Sequence, residues 1–402
     1  MSLCRLFKVL FSFLSLILLS QTTTVSSETK PGQVRLNNNF ILKSSVSKGI
    51  ENLYNLDFDD AKSQFSKAIA ADSESPVGYF YTAMIYWERI LNNPNDKEAF
   101  KLFDEWTSKT IEICQKKIEK NGKDDETLLY LGGSYGFKAR KDLTKKSWWP
   151  AFWNAKKGRN LLKEAFDMNP QNFDLYLGLG MYDYFLDKMP KIVKFFSFLL
   201  SFSGKKELGI EKLHKCATDG KYAKTEAKFV LMSIYTYLEK EYLKALPIAL
   251  DLKNSYPENP RFYYTTAIIL SGMKKWDEAL RLADEISSKA EKEEKNFTLN
   301  WLPRTNYLRG EIFRGKKDYD EAIKFYNLAI NSELSNETWV LPWSHLKIGM
   351  IYDTLGQREK ARVKYQGVLK LEDVSEENTY VHELAGKYLE KSYSKNETGI
   401  SD

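Results

Sequence analysis

Histidine, cysteine and proline are scarce in this 402-residue chain, which has three, three and eleven of them. The histidines, His214, His345 and His382, stand on separate segments, and no HExxH, GxSxG or recognisable Cys-His pairing surrounds them. Carboxylates are plentiful but fall where exposed helix faces and turns would put them. The chain is therefore expected to have no catalytic residues, no metal and no cofactor. The cysteines offer no close-spaced pair for a disulfide framework or a zinc knuckle. Cys114 and Cys216 are expected to be buried thiols, with a single bridge between them as the alternative in an oxidising compartment. The few prolines, together with 24 Tyr, 23 Phe and 9 Trp, suit helix-on-helix packing better than a β-sandwich rich in Gly and Pro turns. A strong charge of one sign is also missing. The net charge is +6, with both signs interspersed along every segment, which argues against nucleic acid as a partner.

Long apolar runs are nearly absent too, and the exception is at the N-terminus. Arg5 and Lys8 precede the uncharged VLFSFLSLILL of Val9 to Leu19, followed by the small residues Val25-Ser26-Ser27. This is the layout of a signal peptide, with cleavage expected after Ser27. A retained anchor is the competing reading, although about 20 apolar residues are needed to span a bilayer. Without residues 1–27 the chain keeps 58 basic and 54 acidic side chains, a net +4. Residues 28–39, ETKPGQVRLNNN, are expected to be a flexible lead. An export route places the protein in the periplasm or outer envelope of a bacterium, or outside the cell of a eukaryote. In a eukaryote the sequons at Asn296, Asn336 and Asn396 would be glycosylated.

What the sequence does contain is a repeat. Ala245, Ala279, Ala322 and Ala361 are separated by 34, 43 and 39 residues, a 34-residue period with insertions. Around them recur Gly310, Phe313, Tyr326 and Ala329, then Gly349, Tyr352 and Tyr365. Upstream, Gly49, Ala61, Phe65 and Ala68 fit the same frame, as do Ala83 and Tyr86. So do Gly132, Tyr135, Gly158, Leu162 and Ala165, and Gly178, Gly209, Leu213 and Cys216. In these small and aromatic positions the chain resembles the tetratricopeptide repeat family, although the opening Trp appears only loosely. The resemblance implies an all-α, right-handed superhelical solenoid of antiparallel helix pairs, in which small residues let paired helices approach and aromatics fill the gaps. About eight pairs are expected over residues 40–372, with a capping helix and polar tail over 373–402. Insertions are expected at 141–153, 188–206 and 290–296. The stretches GYFYTAMIYWERI, LGGSYGFKAR and YLGLGMYDYFLDKMPKIVKFF are also similar to those of exported bacterial repeat proteins, which implies a compartment and no reaction. Gly132, Gly133 and Gly136 are expected to serve helix contact and not a phosphate loop, since no strand precedes them and no Gly-Lys-Ser/Thr follows.

The resemblance further implies a protein or peptide partner, held in a concave groove lined by the first helix of each pair. Counting from the alanine anchors gives Phe80, Met84, Trp87, Tyr182, Tyr237, Tyr264, Tyr307, Arg314 and Trp343 as groove positions, and aromatics and Arg are the residue types that dominate binding energy. The expected function is that of a non-enzymatic adaptor of the cell envelope. The alternative is docking on a membrane surface through the apolar 188–206 insertion, with Phe195, Phe196, Phe198 and Leu199 between lysines. The cluster Trp148-Trp149-Pro150 and Phe152-Trp153 reads either as an aromatic plug beside that insertion or as a patch for a partner. The oligomeric state is not legible.

Overall fold

The structure, a computed structural model, describes residues 31–93, 96–145, 147–188, 204–332, 339–371 and 376–394. The expected signal peptide, most of the 188–206 insertion with Phe195, Phe196, Phe198 and Leu199, and the sequons at Asn336 and Asn396 lie outside these residues. Among the described residues there are helices and no strands, and the chain divides into two compact units, one ending at Ser233 and one beginning at Ile234.

Unit 1 contains α1 (Pro31–Tyr54), α2 (Phe58–Ala71), α3 (Val77–Asn92), α4 (Lys97–Asn121), α5 (Asp125–Thr144), α6 (Trp148–Met168), α7 (Leu175–Lys188), α8 (Lys206–Asp219) and α9 (Lys224–Ser233). Unit 2 opens with a π-helical turn, Ile234–Leu238, and continues with α10 (Tyr242–Ser255), α11 (Pro260–Gly272), α12 (Trp276–Glu291), α13 (Trp301–Lys316) and α14 (Tyr319–Ile330). It ends with α15 (Val340–Thr354), α16 (Arg358–Leu369) and α17 (Glu376–Glu390). In each unit every helix packs on the next as an antiparallel neighbour. First helices also touch the first helix of the following pair: α1 with α3, α3 with α5 and α5 with α7, and in unit 2 α11 with α13 and α13 with α15.

One boundary differs from expectation: residues 31–39 belong to α1 and are not a lead. The stretch 141–153 is taken up by the end of α5, which runs to Thr144, and the start of α6 at Trp148. In both places the helix simply extends through residues whose pattern carried no repeat anchor. Of the 290–296 stretch, Ala290 and Glu291 still belong to α12 and the rest is loop, where Glu293 and Asn296 take left-handed backbone angles.

The repeat anchors have a steric cause. Ala61, Ala245, Ala279, Ala322 and Ala361 are fully buried. Gly49, Gly310 and Gly349 on first helices each lie under an aromatic of the second helix 16 residues later, Phe65, Tyr326 and Tyr365. A Cβ at these glycines would stand 2.3, 2.6 and 2.4 Å from the ring, far inside contact distance. Local signals set the helix starts. Asp96 and Asp124 accept the backbone N–H of Ala99 and Thr127 at 2.9 and 2.8 Å, caps worth about 1 kcal/mol each. Gly122 and Gly356 supply the positive φ that ends a helix or turns the chain.

Cys114 on α4 and Cys216 on α8 are buried and free, both in unit 1. Burial pushes the Cys114 thiol up to about 12, and burial followed by the nearby Asp174 pushes Cys216 up as well. Because the thiolate is the reactive form, neither cysteine is expected to react with a thiol reagent at neutral pH while the protein is folded. Labelling followed by mass spectrometry, with and without denaturant, checks this. Fast labelling of either residue in the native protein would contradict the packing described.

Candidate functional site

In unit 2 the first helices present a continuous row of half-buried aromatics and cations. Tyr237 lies on the π turn, Tyr264 on α11, Tyr307 and Arg314 on α13, and Trp343 on α15, and each is partly exposed. Tyr237 and Thr265 share a side-chain hydrogen bond. The Tyr264 ring lies 5.9 Å from Trp301, and its hydroxyl donates to the Arg304 carbonyl at 3.4 Å. The Tyr307 ring is 5.1 Å from Trp339, edge to face, and 5.6 Å from Tyr326. Trp343 packs on Tyr380 at 6.3 Å, and the Lys347 ammonium lies 5.7 Å from its ring.

Charges are threaded through this row. Arg304 is 3% exposed, with its guanidinium 4.5 Å over Trp301 and 5.7 Å over Tyr264. Burial pulls its pKa well below the usual arginine range, and the neighbouring Arg261 adds to that. Arg261 and Arg304 occupy the same place in successive repeats, three residues before Tyr264 and Tyr307. Neither is among the groove positions that the repeat frame predicts, although their shared offset from a tyrosine is legible in the sequence. Glu311, one turn after Tyr307, pairs with Arg314 at 3.1 Å and Lys347 at 3.3 Å, and it accepts a hydrogen bond from the Tyr326 hydroxyl. Despite the desolvation that opposes ionisation, Arg314, Lys347 and the Tyr326 hydrogen bond hold its carboxyl down to about 2.

Unit 1 places its expected groove residues differently. Phe80 is half-buried, wedged between α3 and α5 against Tyr130 at 5.3 Å and Phe137 at 5.8 Å. Met84 and Trp87, 6% and 3% exposed, face the interior and do not line an open surface. The reason is the Arg140 guanidinium, which covers Trp87 at 4.8 Å and Phe137 at 5.0 Å. Arg140 reaches Glu226 of α9 at 3.5 Å, and the Tyr54 hydroxyl of α1 donates to the same carboxylate at 2.9 Å. This cluster binds α1, α3, α5 and α9 together. No short-range pattern pointed to it, since its members are up to 172 residues apart. Tyr182 rests against Arg159 of α6, 4.9 Å from its ring, and is half-buried.

A cleft of about 340 Å³ in unit 1 is lined by Asp125, Glu126, Asp174, Asp219, Lys221 and Tyr222, among others. Most of its carboxylates serve the fold. Asp174 accepts the backbone N–H groups of Lys221, Tyr222 and Ala223, Asp125 accepts from Asn169 and Asn172, and Asp219 pairs with Lys215. Among the described residues no three His, Cys, Asp or Glu side chains come together as a metal site would require.

The geometry defines a helix-pair repeat protein. Residues 303–336, most of α13 and all of α14, match the tetratricopeptide repeat family, so the chain carries a repeat of that family there. No curated protein has significant sequence similarity to it. Solved structures that align with it include PilF of Pseudomonas aeruginosa, 16% identical over 63% of this chain and 96% of that one, with a TM-score of 0.37. The Cut9–Hcn1 hetero-tetramer of the APC/C aligns at 13% identity over 82% and 73%, TM-score 0.36, and yeast Tom70 at 15% over 89% and 96%, TM-score 0.27.

Proposed function

We propose that the protein is a non-enzymatic adaptor that receives a segment of another protein on the first-helix face of unit 2, and that it works after export, in the cell envelope. The observation that carries the reading is the row Tyr264, Arg304, Tyr307, Arg314 and Trp343. Tyr264, Tyr307, Arg314 and Trp343 are half-buried and Arg304 is buried. Tyr264 and Arg304 share Trp301, Arg314 and Trp343 are joined through Glu311 and Lys347, and Tyr307 packs on Tyr326 and Trp339. Aromatic rings and guanidinium groups held in place before binding lose little conformational freedom when a partner arrives, which is the physical basis of a binding hot spot. Successive first helices in contact extend such a face along the array, as repeat scaffolds do. The export part rests on the apolar run Val9 to Leu19 behind Arg5 and Lys8. No helix among the described residues is long and apolar enough to cross a membrane.

Photo-crosslinking tests the face directly. A benzophenone side chain is placed at Tyr264, Tyr307 or Trp343, and in controls at Leu328 or Val363, which are exposed on the second helices α14 and α16. In the native host the first-helix positions are expected to capture a shared, small set of proteins that the controls do not. Equal capture from both faces, or none from either, would overturn the assignment. Trp87 is not a test of this face, because its substitution would leave a cavity beneath Arg140.

A further inference from the structure

The N-terminal end of α6 is unlike any other surface of the described residues. Trp148, Trp149 and Trp153 are 49%, 74% and 54% exposed, and Pro150 beside them is exposed as well. The buried side of α6 is carried by Ala151, Gly158, Leu162 and Ala165. The outward stripe therefore runs Trp149, Trp153, Lys156 or Lys157, then Asn160, at helical spacing. The indoles sit at the tip and the ammonium groups one to two turns behind them. Lys156 lies 5.1 Å from the Trp153 ring, and the exposed Lys145 flanks the tip from the turn that precedes the helix.

Three clustered indoles left in water are unfavourable unless something covers them. The charge around them narrows what that is. Between Lys138 and Asn160 the sequence has eight basic residues and one acidic, in a chain whose two signs elsewhere nearly balance. Arg140 and Lys141 are held inside by Glu226 and Asp104, and Asp142 is engaged by Asn154. The surface that remains is aromatic and cationic. A protein hot spot of this size is normally a groove that accepts a side chain, whereas here a protruding helix end carries the rings outward on the solvent stripe.

We propose that this end of α6 is a docking surface for an anionic phospholipid bilayer. Indole rings, apolar in body with one N–H donor, settle at the headgroup level of a membrane. The ammonium groups of Lys145, Lys156 and Lys157 rest on Phe100, Trp153 and Tyr135 at 4.7, 5.1 and 4.2 Å, Lys157 also donating to the Tyr135 hydroxyl, and they turn to lipid phosphates once Trp149 and Trp153 have entered. Insertion of one helix end needs only the shallow, roughly 5–10 Å depth of an interfacial contact and no spanning segment. The surface lies in unit 1 and is separate from the first-helix face of unit 2, so neither assignment depends on the other.

Flotation with vesicles tests it, using the full chain in parallel with W148S/W149S/W153S, with K145Q/K156Q/K157Q, and with a deletion of residues 189–203. The apolar residues 9–19 are common to all, so only the differences are read. Vesicles of phosphatidylcholine with one-third phosphatidylglycerol are expected to bind the parent chain, and pure phosphatidylcholine to bind it more weakly. The lysine variant should lose about fivefold in partitioning per charge at low salt. The tryptophan variant should lose at least about tenfold, while its helicity and melting stay unchanged, because the three rings are exposed. Brominated lipids should quench the parent and not the tryptophan variant. Binding that survives the tryptophan substitutions, binding that disappears only with residues 189–203, or equal binding of all chains to neutral vesicles would each overturn the proposal.

Discussion

Replacing Gly158 with valine is expected to destabilise unit 1 by about 3 kcal/mol or more, the upper part of the range for overpacked cores. Gly158 on α6 crosses Gly132 on α5 so closely that a Cβ would stand 2.8 Å from the Gly132 carbonyl oxygen and 3.1 Å from the Gly136 nitrogen. Both are backbone atoms of a neighbouring helix, so no rotamer change relieves the clash and the helices must separate. Separation would also uncover Leu162, which packs beside Gly132 and Gly178. The nearby Gly136 is the control. A Cβ there meets nothing within 4 Å, so Gly136→Ala should gain about 0.5–1 kcal/mol from the better helix propensity of alanine. Denaturant titration followed by circular dichroism measures both. A Gly158→Val protein that unfolds with the parent midpoint would mean that α5 and α6 do not approach as described.

That contact also shows which parts of the structure were legible in the sequence. Gly132 and Gly158 could be read as helix-contact residues because the requirement is local in kind: only hydrogen fits where two backbones meet. The 16-residue offset from Gly310 to Tyr326 and from Gly349 to Tyr365 could be read for the same reason. The helix-pair architecture follows from these positions with little help from the rest of the chain. Which face of a helix looks outward is harder. In α3 the sequence GYFYTAMIYWERI puts large residues on every side, so Met84 and Trp87 fit a groove frame as well as a core frame. What decides between them is Arg140, two helices away, lying over Trp87. The Tyr54–Glu226–Arg140 cluster left no trace in any short window, since a carboxylate on α9 is an ordinary surface residue until its partners on α1 and α5 arrive. The exposed tryptophans of α6 were ambiguous in the opposite sense. Their composition fits an aromatic plug as well as a patch for a partner, and only their exposure on α6 distinguishes the two.

The second large effect is expected at Glu311, and it is visible as pH dependence. In the folded protein Arg314, Lys347 and the Tyr326 hydroxyl keep this carboxyl ionised down to about 2, whereas an unfolded chain releases the group to its ordinary value of 4.5. A depressed carboxylate adds stability that is fully present above pH 4.5 and fades as the pH falls towards 2, where the folded form also takes up a proton. The size of that shift corresponds to about 3 kcal/mol. Glu311→Gln should therefore lower the stability of unit 2 at pH 7 by about that amount and flatten its dependence on pH between 4.5 and 2. Tyr326→Phe should cost about 1.5–3 kcal/mol by removing one hydrogen bond to a charged acceptor, and should leave most of the pH dependence in place. The comparison separates the two contributions to the site. If Glu311→Gln keeps the acid slope of the parent, another carboxylate dominates acid unfolding and Glu311 is not the anion that holds α13, α14 and α15 together. If the slope disappears, the cations of the proposed binding face are positioned by this one carboxylate. An acidic segment of a partner would then have to compete with Glu311 for Arg314 and Lys347, so affinity for such a segment should rise in Glu311→Gln even as the fold weakens.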